Sequence, residues 1–211
     1  MSEEKNEISV ESALASTVEG AAALDAFSNR ESMKFMWNIA QLISEASNIP
    51  QSYQRKPGDC LVAIDIANRA NLSPIFVMQN LYVVKGKPSW SGQACMMLVE
   101  NCGKFKNARP VYFGEKGTDS RGCMLVATRV SDGELIEGPE VTIGMAKAEG
   151  WTSNSKWRNM PEIMLSYRAS AFFARVYCPG ALMGLHSVDE VEDSQKTHAP
   201  APNPFAEVVD A

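Results

Sequence analysis

Two arginines, Arg168 and Arg175, sit seven positions apart in SYRASAFFARVYCP, a run that otherwise suits a buried helix and contains no acid. Seven residues are nearly two helical turns, so both guanidinium groups leave the same face, with their Cα atoms about 10 Å apart. Burying such charges without partners costs several kcal/mol, so an anion has to meet them. One candidate is a carboxylate of this chain, with Asp65, Glu100 and Glu140 the options considered. The other is a phosphate backbone, because an axial span of about 10 Å corresponds to about three nucleotides. The residues alone leave the two readings even.

Other cations alternate with aromatic rings. Lys85 and Lys87 flank a glycine, with Trp90 just beyond; Lys104, Lys106 and Arg109 recur along one apolar run, and Arg121 and Arg129 bracket the next. Lys147 precedes GWTSNSKWRNMP, which gathers Trp151, Lys156, Trp157 and Arg158 ahead of the arginine helix. Cations neutralise phosphates, and flat rings stack on any base at about 1 to 3 kcal/mol each, so the combination suits single-stranded nucleic acid. The ordinary alternative is that the tryptophans are core anchors and the lysines a solvated face.

Signals for bond-breaking chemistry are sparse. The two histidines, His186 and His198, fall near or within the acidic C-terminal end, which argues against a triad or a histidine metal site. No phosphate-cradling GxxxxGK[ST] is present, and the glycines of GEKGTDSRG match no dinucleotide fingerprint. Five cysteines in apolar surroundings, without CxxC spacing, read as reduced core residues. No catalytic residue, cofactor or metal is assigned, and the chain is read as a binding protein that makes no bond and hydrolyses no ATP.

The elements that position these groups follow from periodicity. One helix is expected from Ser32 to before Pro50, and a second from an Asp59 cap to a stop at Pro74. A short helical turn leads into a hairpin, Leu81 to Val84 and Lys87 to Ser89, turning at Lys85 and Gly86. A helix begins at Ser91 and is ended by Gly103. Residues 104 to 143 carry three β-rich runs joined by EKGTD and SDGE, an antiparallel meander. The last long helix spans Pro161 to Tyr177, opened by proline and closed by CysProGly. Strands segregated from helices in this order predict an α+β fold, helices packed on a hairpin and a three-stranded meander.

A net charge of −5 hides an asymmetry. Residues 1–32 hold seven acids and two bases, residues 187–211 six acids and one base, and the stretch between them 17 bases against 12 acids. Three segments are expected: an acidic N-terminal extension (1–32) whose composition suits a weak helix, a core (33–192), and a flexible proline-containing acidic tail (193–211). The absence of a signal-like start and of any apolar run near 20 residues leads to an expectation of a cytoplasmic protein with no membrane partner.

DCLVAIDIAN (59–68), LSPIFVMQNLYVVKGKPSWSGQ (72–93), GMAKAEGW (144–151) and NSKWRNMPEIMLSYRASAFFARVYCP (154–179) closely resemble the RecT family of phage-encoded single-strand annealing recombinases. The resemblance runs over about residues 33–192. It implies an ATP-independent protein that coats single-stranded DNA, assembles into rings or helical filaments, and pairs complementary strands into annealed duplex in a bacterial host. The expected partners are a phage exonuclease, the host single-strand-binding protein and further copies of the chain. By motif position, Lys85, Lys87, Lys147, Lys156, Arg158, Arg168 and Arg175 are similar to the family's basic DNA groove. Lys104, Lys106, Arg109, Arg121 and Trp157 complete the expected DNA-binding set. The alternatives are a DNA-processing nuclease and a self-assembling phage structural protein.

Overall fold

A computed structural model describes residues 29–84 and 86–194. Lys85, residues 1–28 of the N-terminal extension with its expected weak helix, and nearly all of the expected C-terminal tail lie outside the described residues. The chain divides into two compact units, one ending at Gln79 and the other beginning at Asn80.

The first unit is helical. Helix α1 (Arg30–Ser44) is capped by Asn29, whose side chain accepts from the backbone N–H groups of Glu31 and Ser32 at 3.0 and 2.8 Å. The cap is therefore three residues earlier than the Ser32 expected, because Asn29 serves the first two free N–H groups. Met36, Ala40 and Ser44, four apart, form its buried stripe. Helix α2 (Pro57–Ala70) opens on Pro57 rather than on an Asp59 cap, and places Asp59 in its first turn. Asn71 in the left-handed conformation (φ 53°) ends it. Helix α3 (Pro74–Asn80) runs to the end of this unit.

The second unit contains two sheets. Strands β1 (Leu81–Val84) and β2 (Lys87–Trp90) form the expected hairpin, with Gly86 at φ 79° in the turn. Ser91 caps α4 (Gly92–Asn101) by accepting from the Ala94 N–H at 3.1 Å. Strands β3 (Phe105–Phe113), β4 (Gly122–Arg129) and β5 (Leu135–Glu137) make the expected antiparallel meander, and β6 (Val141–Thr142) also pairs with β4. The observed mixture of helices with antiparallel sheets agrees with the α+β expectation. Helix α5 (Ile143–Ala148), a 3₁₀ turn (Trp151–Ser153) and α6 (Lys156–Asn159) lead to α7, which occupies Pro161–Tyr177.

Helix α7 lies on the β4 face that carries Cys123, Leu125 and Ala127, all fully buried. Phe105 and Phe173 meet edge to face at 5.1 Å across this layer. Gly138 is required there, since a Cβ would lie 2.7 Å from the Phe173 ring and 2.8 Å from the Leu125 carbonyl. Beyond α7 come α8 (Pro179–Leu182), β7 (His186–Ser187), which pairs parallel with β2, and α9 (Val188–Ser194). Among the described residues no single helix is long and apolar enough to cross a membrane.

Candidate nucleic-acid interface

The expected DNA-binding residues fall into three groups, all in the second unit, and a β-bulge builds the first. Lys106 pairs with Thr128 and Arg109 with Val126, so two residues of β3, Asn107 and Ala108, oppose Ala127 alone on β4. Asn107 takes φ 56°, and Glu100 of α4 accepts from the Ala108 N–H at 2.9 Å. A spacing of three would place two side chains on opposite faces of a regular strand; the extra residue returns Lys106 and Arg109 to the same face. That face is the reverse of the one α7 covers. Lys104, Lys106 and Arg109 are exposed and form no ion pair among the described residues. The same holds for Lys87 on the hairpin and Arg158 on α6.

The second group rims a cleft of about 580 Å³ with an apolar floor of Ile143, Trp157, Met160, Pro161 and Ile163. Arg121 and Lys147, which the sequence placed in separate runs, converge here and are joined by Lys116, which sequence reasoning missed. Its only signal was membership of the EKGTD turn. Arg121 donates from Nε to Glu162 at 3.1 Å and its guanidinium lies 5.1 Å from the Tyr112 ring centre. Lys116 reaches the same carboxylate at 3.5 Å, and Lys147 pairs with Asp119. The Arg121 hydrogen bond, opposed in part by desolvation and aided by Lys116, holds the Glu162 carboxyl below its usual range.

The third group corrects the expectation for the arginine helix. Arg168 is 5% exposed, stacked 4.0 Å from the Trp151 ring centre, ion-paired with Asp193 and hydrogen-bonded to the Asp189 carbonyl at 3.3 Å. Trp157 is 2% exposed and donates from Nε1 to Asp193 at 3.2 Å, so it is a core anchor rather than a stacking platform. Neither side chain faces solvent. Trp90, fully buried and bonded to the Leu182 carbonyl, is likewise core. Arg175 is exposed and pairs with Glu190 at 2.8 Å, and Lys156 pairs with Glu192 at 3.4 Å and Asp189 at 3.8 Å.

The carboxylates that meet the arginine row thus come from α9, and none is Asp65, Glu100 or Glu140. Asp65 is held by Arg69 at 2.9 Å, and Glu100 serves the bulge. Burial pushes the Asp189 carboxyl up, against the pull of Lys156. Burial also moves both members of the innermost pair toward neutrality, Asp193 up and Arg168 down, while their contact opposes it. A guanidinium ordinarily titrates so far above neutrality that this pair stays charged. Glu190 behaves oppositely: burial raises it, but the Ser187 N–H and Arg175 outweigh burial and leave it below its usual range.

Four of the five cysteines are buried and Cys102 is half-buried; burial pushes the Cys95 and Cys178 thiols up to about 12. Such thiols are packing groups, not nucleophiles. Among the described residues no group of three or more His, Cys, Asp or Glu is placed to hold a metal ion. No family model, no curated protein and no solved structure matches this chain.

Proposed function

We propose that the chain binds single-stranded DNA and anneals complementary strands without ATP, working as an oligomer. The observation that carries this reading is the set of exposed cations with no internal carboxylate, among them Lys106 and Arg109, which the bulge turns onto one face of the sheet. Cations that spend no charge on their own fold are available to phosphates, and an open strand face accepts an extended backbone without selecting its bases. The four sequence blocks that resemble RecT-family annealing proteins support the same reading and extend it to a single-strand annealing core, to ring or filament assembly, and to work beside an exonuclease and a host single-strand-binding protein. Base pairing supplies the sequence discrimination, and the protein supplies alignment and charge screening.

The test combines binding and annealing. Affinity for a labelled single strand is expected to fall steeply with NaCl, and the protein should accelerate pairing of complementary oligonucleotides with no nucleotide added. Replacing Lys106 and Arg109 together by alanine removes two phosphate contacts, which lowers the logarithmic salt slope by about 1.4. A flat salt series, or shortened strands after incubation with magnesium, would reject annealing and favour no DNA role or a nuclease respectively.

A further inference from the structure

Residues 80–187 carry 13 Lys and Arg against nine Asp and Glu, and α9 alone adds four carboxylates within five positions. One seven-residue helix therefore cancels the cationic surplus of the unit it belongs to. Its acids do not simply face water. Asp189, Glu190 and Asp193 are each at most 6% exposed, and every one of the four meets a cation of α6 or α7: Asp189 and Glu192 at Lys156, Glu190 at Arg175, Asp193 at Arg168. These three cations are among those that the sequence alone suggested for phosphates.

Three features mark this seat as one that a stronger polyanion can take. The innermost contact is incompletely satisfied, because Arg168 Nε and Asp193 Oδ1 are buried with no hydrogen-bond partner. A helix of seven residues has little intrinsic stability and holds its place by docking. Beside it a groove of about 300 Å³ opens between Tyr82, Tyr167, Lys156 and the first turn of α4, and Asp189 supplies the one carboxylate among its lining residues. Gly92 lets Asp189 approach this turn: a Cβ there would lie 2.7 Å from the carboxylate oxygen.

We propose that α9 is a built-in polyanion that occupies the ridge of Lys156, Arg168 and Arg175, and that a phosphodiester backbone displaces it. The proposal rests on the reading of the chain as a single-stranded DNA binder and adds how that binding is restrained. In the free protein the ridge is shielded from stray anions. A single phosphate is a poor competitor for four tethered carboxylates, whereas a long strand brings many linked phosphates at high effective concentration. The work of unseating α9 is deducted from the intrinsic affinity of the ridge.

The test uses the full chain and a labelled oligothymidylate. Asp189→Asn with Glu192→Gln is nearly isosteric, leaves the Arg168–Asp193 pair in place and releases Lys156. The variant is expected to bind roughly ten-fold tighter than wild type at low salt, the loss of two partly exposed competing ion pairs, with the gain shrinking as NaCl rises. In wild type, the α9 amides should lose hydrogen-exchange protection when the oligonucleotide is added. Unchanged affinity in the variant together with undiminished α9 protection in oligonucleotide-bound wild type would show that α9 is only structural and overturn the proposal. If the variant does not fold, the exchange measurement on wild type decides alone: loss of protection supports displacement and retained protection rejects it. Wild type that fails to bind the oligonucleotide at all removes the DNA-binding reading itself, a result distinct from binding without displacement.

Discussion

At the scale of single residues, Arg168 and Asp193 pose the sharpest energetic question, because both side chains are at least 95% buried and each leaves one polar atom unsatisfied. Removing one partner of such a pair strands a charge in a medium that cannot solvate it, whereas removing both restores an apolar contact. Asp193→Asn is therefore expected to destabilise the protein by about 3 to 5 kcal/mol, while Arg168→Met with Asp193→Leu should cost less, about 1 to 3 kcal/mol, because it removes both charges and leaves only the buried Trp157 N–H without its acceptor, both read from urea unfolding. Need for an anion opposite Arg168 was legible in the sequence, since the run around it offers no acid. The identity of that anion was not. VDEVEDS lies at the edge of a polar, proline-containing segment, and nothing local distinguishes a docked acidic helix from a solubilising tail; only the tertiary position of α7 does so. Trp157 was ambiguous for the same reason, as a tryptophan near lysines reads equally as a stacking platform or a core anchor until Asp193 is seen accepting its N–H.

At the scale of elements, local chemistry located the long pieces and missed the small ones. Helix α7 runs between the expected residues because a proline preorganises its first turn and CysPro cannot continue it. The strand β7, two residues long and paired parallel to β2 from 97 positions away at Ser89 and His186, has no periodicity to betray it. The bulge of β3 was equally hidden, since the polar pair Lys106–Asn107 breaks the alternation of KFKNARPVYF without saying how the chain absorbs the break until Asn107 is found at positive φ. It makes a demanding prediction. Deleting Ala108 would leave Asn107 alone opposite Ala127 in a regular ladder, with Lys106 still opposite Thr128 and Phe105 still opposite Arg129, so both keep their faces while Asn107 turns toward α7. The expected loss in thermal or urea unfolding is about 1 to 3 kcal/mol, from the missing Glu100–Ala108 hydrogen bond and the polar Asn107 side chain on the covered face, with single-strand affinity retained. Asn107→Gly, which adopts the same backbone more easily, should leave stability within about 1 kcal/mol of wild type and leave single-strand affinity unchanged. Loss of single-strand affinity in a deletion variant that stays folded would mean that the face shared by Lys106 and Arg109 is not what holds the strand.

At the scale of the whole molecule, the formal charge of −5 and the acidic pI of 5.2 describe a chain in which positive and negative charge are separated along the sequence and partly reunited by folding. Where the carboxylates end up decides how stability responds to acid. The raised Asp189 carboxyl, pushed up by burial, binds its proton more readily folded than unfolded. Its contribution therefore grows as pH falls from neutrality toward the ordinary carboxylate value of about 4, and is absent once pH exceeds its folded value. Glu190, which the Ser187 N–H and Arg175 depress in spite of burial, and Glu162, depressed first by the Arg121 hydrogen bond, have the opposite sign. Their stabilisation is complete above about 4 and is lost as pH falls through their lower folded values. Melting temperature is accordingly expected to hold level or rise slightly from pH 7 to about 5 and to drop below about 4. Asp189→Asn should reduce the rise to the part that the likewise raised Asp193 supplies while keeping the acid-side fall, and Glu190→Gln should lower the melting temperature at neutral pH and weaken the fall. A melting temperature that declined steadily from pH 7 in wild type, with Asp189→Asn following the same line, would mean that α9 does not hold Asp189 buried, and the account of α9 as the counter-charge of the ridge would go with it.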